Sequence, residues 1–147
     1  DYILFVFTIC FLRDLRVSLK EAYRVLKPRG SIVVGFISRD SEWGELYSKK
    51  KSEGHRFYKD ANFYSVKEIE EALECVRFKS TKCVATLSQE PEAVTTIEEP
   101  SSNVDQRGFV CIKAIKDEKI GIKDGKATKP FLKFHALSTL FESIEFL

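Results

Sequence analysis

The chain has 147 residues, 44% of them hydrophobic and 31% charged, with a formal net charge of +2. This suggests one soluble globular domain, and so small a net charge argues against a dedicated nucleic-acid binder on bulk charge alone. The opening apolar run ends at Arg13. It falls short of the roughly 20 residues of a membrane helix and lacks the basic leader and cleavage site of a signal peptide.

Residues 1–9 form a Phe-, Ile- and Val-rich run without alternation, the pattern of a strand buried on both faces of a helix-covered parallel sheet. Leu15, Leu19, Ala22, Tyr23 and Leu26 follow at helical spacing. Asp14 is placed to cap that helix, and Pro28 and Gly30 to stop it. Residues 31–37 are a second buried strand, so residues 1–37 read as one right-handed strand-helix-strand crossover.

Residues 38–62 are polar and aromatic, with a helical portion expected over 42–51. Six aromatics from Trp43 to Tyr64 argue against disorder, and a loop this long in a compact domain usually serves function. Ser65 and Glu68 form a capping box, with Tyr64 and Ile69 as its hydrophobic staple, ahead of a helix whose stripe is Val66, Ile69, Ala72, Leu73 and Val76. A strand is expected over 78–87, an acidic surface loop over 89–100 and a last strand over 108–115. Residues 117–129 read as a charged linker. Phe134, Leu137, Leu140, Phe141, Ile144 and Leu147 then recur at helical spacing.

Cys10, Cys75, Cys83 and Cys111 stand in apolar runs without a C-x-x-C pair. They read as buried thiols of a reducing cytosol, with no metal site. The expected location is cytoplasmic. The chain contains no methionine and opens inside a strand pattern, so it is expected to be a piece of a longer protein or half of a split one.

The segment Glu21-Ala22-Tyr23-Arg24-Val25-Leu26-Lys27-Pro28-Arg29-Gly30, between Asp1-Tyr2-Ile3-Leu4 and a hydrophobic strand, resembles the "EAxRVLKPGG" segment of class I S-adenosylmethionine-dependent methyltransferases of the small-molecule branch (methyltransferase type 11-like). Arg29 stands where that branch often has Gly. Ser65-Val66-Lys67-Glu68-Ile69 with Arg77-Phe78 resembles the family's helix-strand unit, with Arg77 again in place of Gly. The resemblance runs from residue 1 to about 116. It implies an α/β fold, the C-terminal half of a Rossmann-like methyltransferase sheet: strands four to seven, the last antiparallel between the fifth and sixth, with flanking helices. Residues 1–116 would be a partial methyltransferase domain, and 117–147 a linker and amphipathic tail. The Gly-rich cofactor turn (E/D-x-G-x-G) and the acidic residue that grips the ribose are absent from this sequence. The 2–7 strand then lacks its family neighbour, so a complementing N-terminal half or a second copy is expected to cover that edge.

In open α/β sheets ligands sit beyond the carboxyl ends of the strands. The resemblance thus implies that Thr8, Ile9, Cys10 and Phe11 contact S-adenosylmethionine. Arg39, Asp40, Trp43, Tyr47, Phe57 and Tyr58 are the candidate substrate wall, joined by Phe63 and Tyr64. Aromatic walls suit an apolar or cationic acceptor. Lys49, Lys50 and Lys51 would attract an anionic one. His55 is a candidate general base by residue type, and His135 is assigned no role.

The expected function is methyl transfer to a small-molecule acceptor, with this half inactive alone. One alternative is a non-catalytic methyltransferase-like module that dimerises or binds a partner. Another is nucleic-acid binding through residues 39–59, where basic and aromatic residues interleave.

Overall fold

The computed structural model describes residues 1–117. The elements are β1 (Tyr2–Val6), a 3-10 turn (Ile9–Phe11), α1 (Leu15–Val25), β2 (Ser31–Ile37), α2 (Glu42–Ser52), α3 (Val66–Cys75), β3 (Phe78–Thr86) and β4 (Phe109–Lys116). One four-stranded sheet runs β1-β2-β4-β3. β1 and β2 are parallel, in register from Tyr2 opposite Ser31 to Val6 opposite Gly35. β4 lies antiparallel between β2 and β3, the expected inserted last strand. The linker and amphipathic tail expected over 117–147, including the apolar stripe from Phe134 to Leu147 and His135, lie outside the described residues from 118 onward.

The caps form as their residue types require. The Asp14 carboxylate accepts from the Val17 amide at 3.0 Å. Ser65 Oγ accepts from the Glu68 amide at 3.1 Å, and Glu68 Oε2 accepts from the Ser65 amide at 2.7 Å, closing the capping box. α1 and α3 press Leu19, Ala22, Leu26, Ile69 and Leu73 onto Ile32, Val34, Val110 and Ile112, all buried in one core. Burying each of the leucine, isoleucine and valine side chains contributes roughly 1.5–3 kcal/mol.

Two expectations are corrected. β1 is not buried on both faces: Tyr2, Leu4 and Val6 are exposed, Leu4 by 50%, while Ile3 and Phe5 lean on the core. Continuous hydrophobicity marked the strand but could not tell which face would be covered. β1 also ends at Val6 rather than at residue 9. Phe7 takes a left-handed φ of 52° and turns the chain out of the sheet. The second correction concerns the cysteines: Cys75 is exposed on the last turn of α3, because the buried stripe of that helix passes through Ile69, Ala72 and Leu73 instead.

Arg29 and Arg77 have φ of 64° and 69°. These are the two positions where glycine was the expected residue, and the left-handed conformation costs an L-residue roughly 1–2 kcal/mol. Arg29→Gly and Arg77→Gly should each raise unfolding free energy by about 0.5–1 kcal/mol, after the larger chain entropy of glycine is subtracted. Urea unfolding midpoints check this, and no gain in either variant would mean that the arginine side chains offset the backbone strain.

Candidate functional site

The site lies where β1 and β2 end. Beyond Val6, Phe7 donates its amide to Gly35 O at 2.9 Å, and the 3-10 turn carries Ile9, Cys10 and Phe11 across the sheet's end. Beyond Ile37, the chain enters a tight turn: Ser41 Oγ donates to Ser38 O at 2.7 Å and accepts from the Gly44 amide at 3.1 Å, capping α2. Residues 61–64 return between these two ends. The Asn62 amide donates to Cys10 O at 2.7 Å, and the Arg39 amide to Tyr64 O at 2.9 Å. Backbone hydrogen bonds therefore fix this strap to both strand ends.

Between them is a cavity of about 450 Å³. The ends of the two strands line it with Phe7, Ile9, Cys10, Phe36 and Ile37, and Phe11, Tyr47, Phe57, Tyr58, Asn62, Phe63 and Tyr64 complete the lining. The rings support one another: Tyr47 meets Tyr58 edge-on with centroids 4.9 Å apart, and Phe11 stacks on Tyr58 at 6.4 Å. Burial, and behind it the neighbouring Tyr58, pushes the Tyr47 hydroxyl pKa up. Tyr64 is raised by burial and then by Glu68. These phenols stay neutral and serve as hydrogen-bonding tips on an apolar wall.

Of the residues singled out from sequence, Ile9, Cys10, Phe11, Tyr47, Phe57 and Tyr58 converge on the cavity, as do Phe63 and Tyr64. Thr8 lies outside its lining and is exposed. Arg39 faces a neighbouring polar cleft. Its guanidinium meets the Glu68 carboxylate at 3.0 Å and Asp40 at 3.5 Å. Glu68 is held below the usual carboxylate range by the Ser65 amide first and by Arg39 next. Trp43 turns the other way: its indole donates to Gln89 O at 2.9 Å, and its ring packs over Gly108. His55 is exposed, with Nδ1 accepting from the Phe57 amide at 3.3 Å and the ring packed on Tyr58, outside the lining. The reading from sequence omitted Phe7, Phe36, Ile37 and Asn62. The first three end two adjacent parallel strands, which is where the carboxyl-end rule would have looked.

Cys83 is pushed up to about 11 by burial, and burial also raises Cys10 and Cys111. A raised thiol carries little thiolate, and Cys10 lines the cavity among apolar neighbours. Among the described residues no group of three or more His, Cys, Asp or Glu could hold a metal, and no helix is long and apolar enough to cross a membrane.

The sheet is of Rossmann-like α/β kind, and a cavity at the carboxyl ends of its parallel strands lies where such sheets generally take their ligands. A family described as "Methyltransferase domain" matches residues 1–34. The chain is 38% identical to a SAM-dependent methyltransferase of Thermotoga maritima described as a possible histamine N-methyltransferase, with a TM-score of 0.74 over 80% of this chain and 56% of that one. An uncharacterised protein of Methanocaldococcus jannaschii is 39% identical over 79% of this chain and 56% of its own length. A SAM-dependent methyltransferase of Methanosarcina mazei shares the fold at 20% identity and a TM-score of 0.52, over 79% of this chain and 58% of its own. In sequence and fold the chain is thus similar to S-adenosylmethionine-dependent methyltransferases over about four fifths of its length. It spans about half the length of the relatives it matches.

Proposed function

We infer that the protein takes part in methyl transfer from S-adenosylmethionine to a small-molecule acceptor, and that this chain supplies the acceptor side of the site. The observation that carries the reading is the aromatic cavity at the carboxyl ends of β1 and β2. Methyl transfer is an in-line displacement at a sulfonium carbon; the protein's part is to align the nucleophile and exclude water, and a cavity walled by Phe11, Tyr47, Tyr58 and Phe63 is suited to both. The residues at the end of β1 fit one side of the cofactor: Ile9, Cys10 and Phe11 offer an apolar surface. S-adenosylmethionine supplies the electrophilic methyl group. The E/D-x-G-x-G turn that would cradle the rest of it is not in this sequence, so residues 1–116 act as a partial domain.

The outer edge of β1, unpaired among the described residues, supports a partner-covered arrangement, whether by a complementing N-terminal half or by a second copy. Among the described residues β1 pairs only with β2, and Tyr2, Leu4 and Val6 are exposed. Such an edge is a template for strand addition.

Calorimetric titration with S-adenosylhomocysteine tests the reading. No heat is expected from the 147-residue chain. Micromolar binding is expected once the chain is fused to the part of the T. maritima protein that it does not cover. A folded fusion that neither binds the product nor transfers a labelled methyl group to any small-molecule acceptor would sink the enzymatic reading.

A further inference from the structure

Two cations of the chain are held against rings that line the aromatic cavity. The Lys50 ammonium sits 5.1 Å from the centroid of the Tyr47 ring, and the Arg56 guanidinium 5.6 Å from that of Phe57. Both rings line the cavity. Residues 49–60 hold five lysines and arginines against two acids, whereas the chain as a whole carries +2; everything outside this stretch is therefore net negative. Phe57 is 67% exposed and Arg56 is exposed as well, so this ring and its cation are at the solvent side of the cavity wall. Among the described residues no carboxylate lines the cavity.

This arrangement discriminates between acceptors. A cationic amine would approach through like charge, and at Tyr47 and Phe57 a cation of the chain already occupies one ring face. An anion with an apolar body meets the reverse: rings for the body, and Lys50 and Arg56 for the charged group. We propose that the cavity accepts an amphiphilic anion, an aromatic or aliphatic body ending in a carboxylate, sulfonate or phosphate that stays at the Lys50–Arg56 rim. The proposal rests on the cavity being the acceptor site.

The test uses two dyes of similar aromatic body: 1-anilinonaphthalene-8-sulfonate, which is an anion, and N-phenyl-1-naphthylamine, which is neutral. Fluorescence titration of the whole chain should show the sulfonate binding more tightly, with the advantage shrinking as salt rises. Lys50→Glu with Arg56→Glu should weaken the sulfonate about tenfold and leave the neutral dye unchanged. Lys50→Gln with Arg56→Gln should weaken it about threefold, which keeps the test open if the double reversal misfolds. Lys20→Glu with Lys79→Glu makes the same change in net charge on exposed positions elsewhere and should have little effect.

Equal affinity for the two dyes overturns the proposal, and so does an equal loss in the distant variant. So does a Lys50/Arg56 variant that keeps its dye binding but loses binding to phosphatidylserine vesicles, which would assign the rim to a membrane surface. No methyl donor is present, so failure here leaves methyl transfer standing, and failure of methyl transfer leaves the cationic rim standing.

Discussion

Gly44→Ala is expected to destabilise the fold by about 3 kcal/mol, at the upper end of what overpacking usually costs. Helix propensity alone points the other way, since alanine in a helix interior is favoured over glycine by about 1 kcal/mol. Packing decides. A methyl group at Gly44 would collide with the carbonyl oxygens of Ser38 and Arg39. These are backbone atoms, and the turn that carries them is held on both sides. The Ser38 amide donates to Gly108 O at 3.0 Å and the Arg39 amide to Tyr64 O at 2.9 Å. Relief therefore means lifting α2 from the end of β2 or breaking those bonds. Either movement displaces Tyr47, so dye binding in the cavity should fall together with the urea midpoint. A neutral or stabilising substitution would mean that the turn yields freely.

Lys116→Ala is expected to cost about 2–3 kcal/mol, the range for a buried hydrogen bond made by a charged group plus a helix-end interaction. Lys116 is only 5% exposed at the end of β4. Its ammonium donates to Leu26 O at 2.8 Å and lies 4.6 Å from the centroid of Tyr23, while its amide donates to Gly30 O at 2.8 Å. The charge thus sits against the carbonyl end of α1, where a cation is favoured, and links the last strand to the crossover that opens the chain. Lys116→Met keeps most of the stem and removes the charge, so it should cost about half as much. Chemical denaturation of both variants separates the contributions. A methionine variant as stable as the parent would show that the charge adds nothing.

Much of the site was legible because its parts follow local rules. Tyr47, Phe57, Tyr58, Phe63 and Tyr64 were marked by being aromatic within a long polar segment, where no core stripe claims them. Ile9, Cys10 and Phe11 were marked by following a strand. Trp43 carried the same aromatic signal but turns to Gln89 and Gly108, because its direction depends on how α2 is set against the 89–108 region, and no local pattern encodes that. Arg39 was placed in the substrate wall as a charged strand-end residue, but Glu68, on a helix beginning 27 residues later, engages it. His55 had the right chemistry for a base, yet the turn after α2 closes its Nδ1 onto the Phe57 amide.

The sequence by itself determined the crossover of residues 1–37, the two helix caps, the strands after residue 77 and the resemblance to methyltransferases. Each depends on short-range periodicity, on capping chemistry between residues three apart, or on a contiguous resembling segment. Only the tertiary structure decided which face of β1 would be covered, which aromatics would meet around a cavity, and that glycine at 44 is required by a neighbouring backbone. These are set by contacts between residues distant in the chain, where position and direction depend on the packing of whole elements against the sheet.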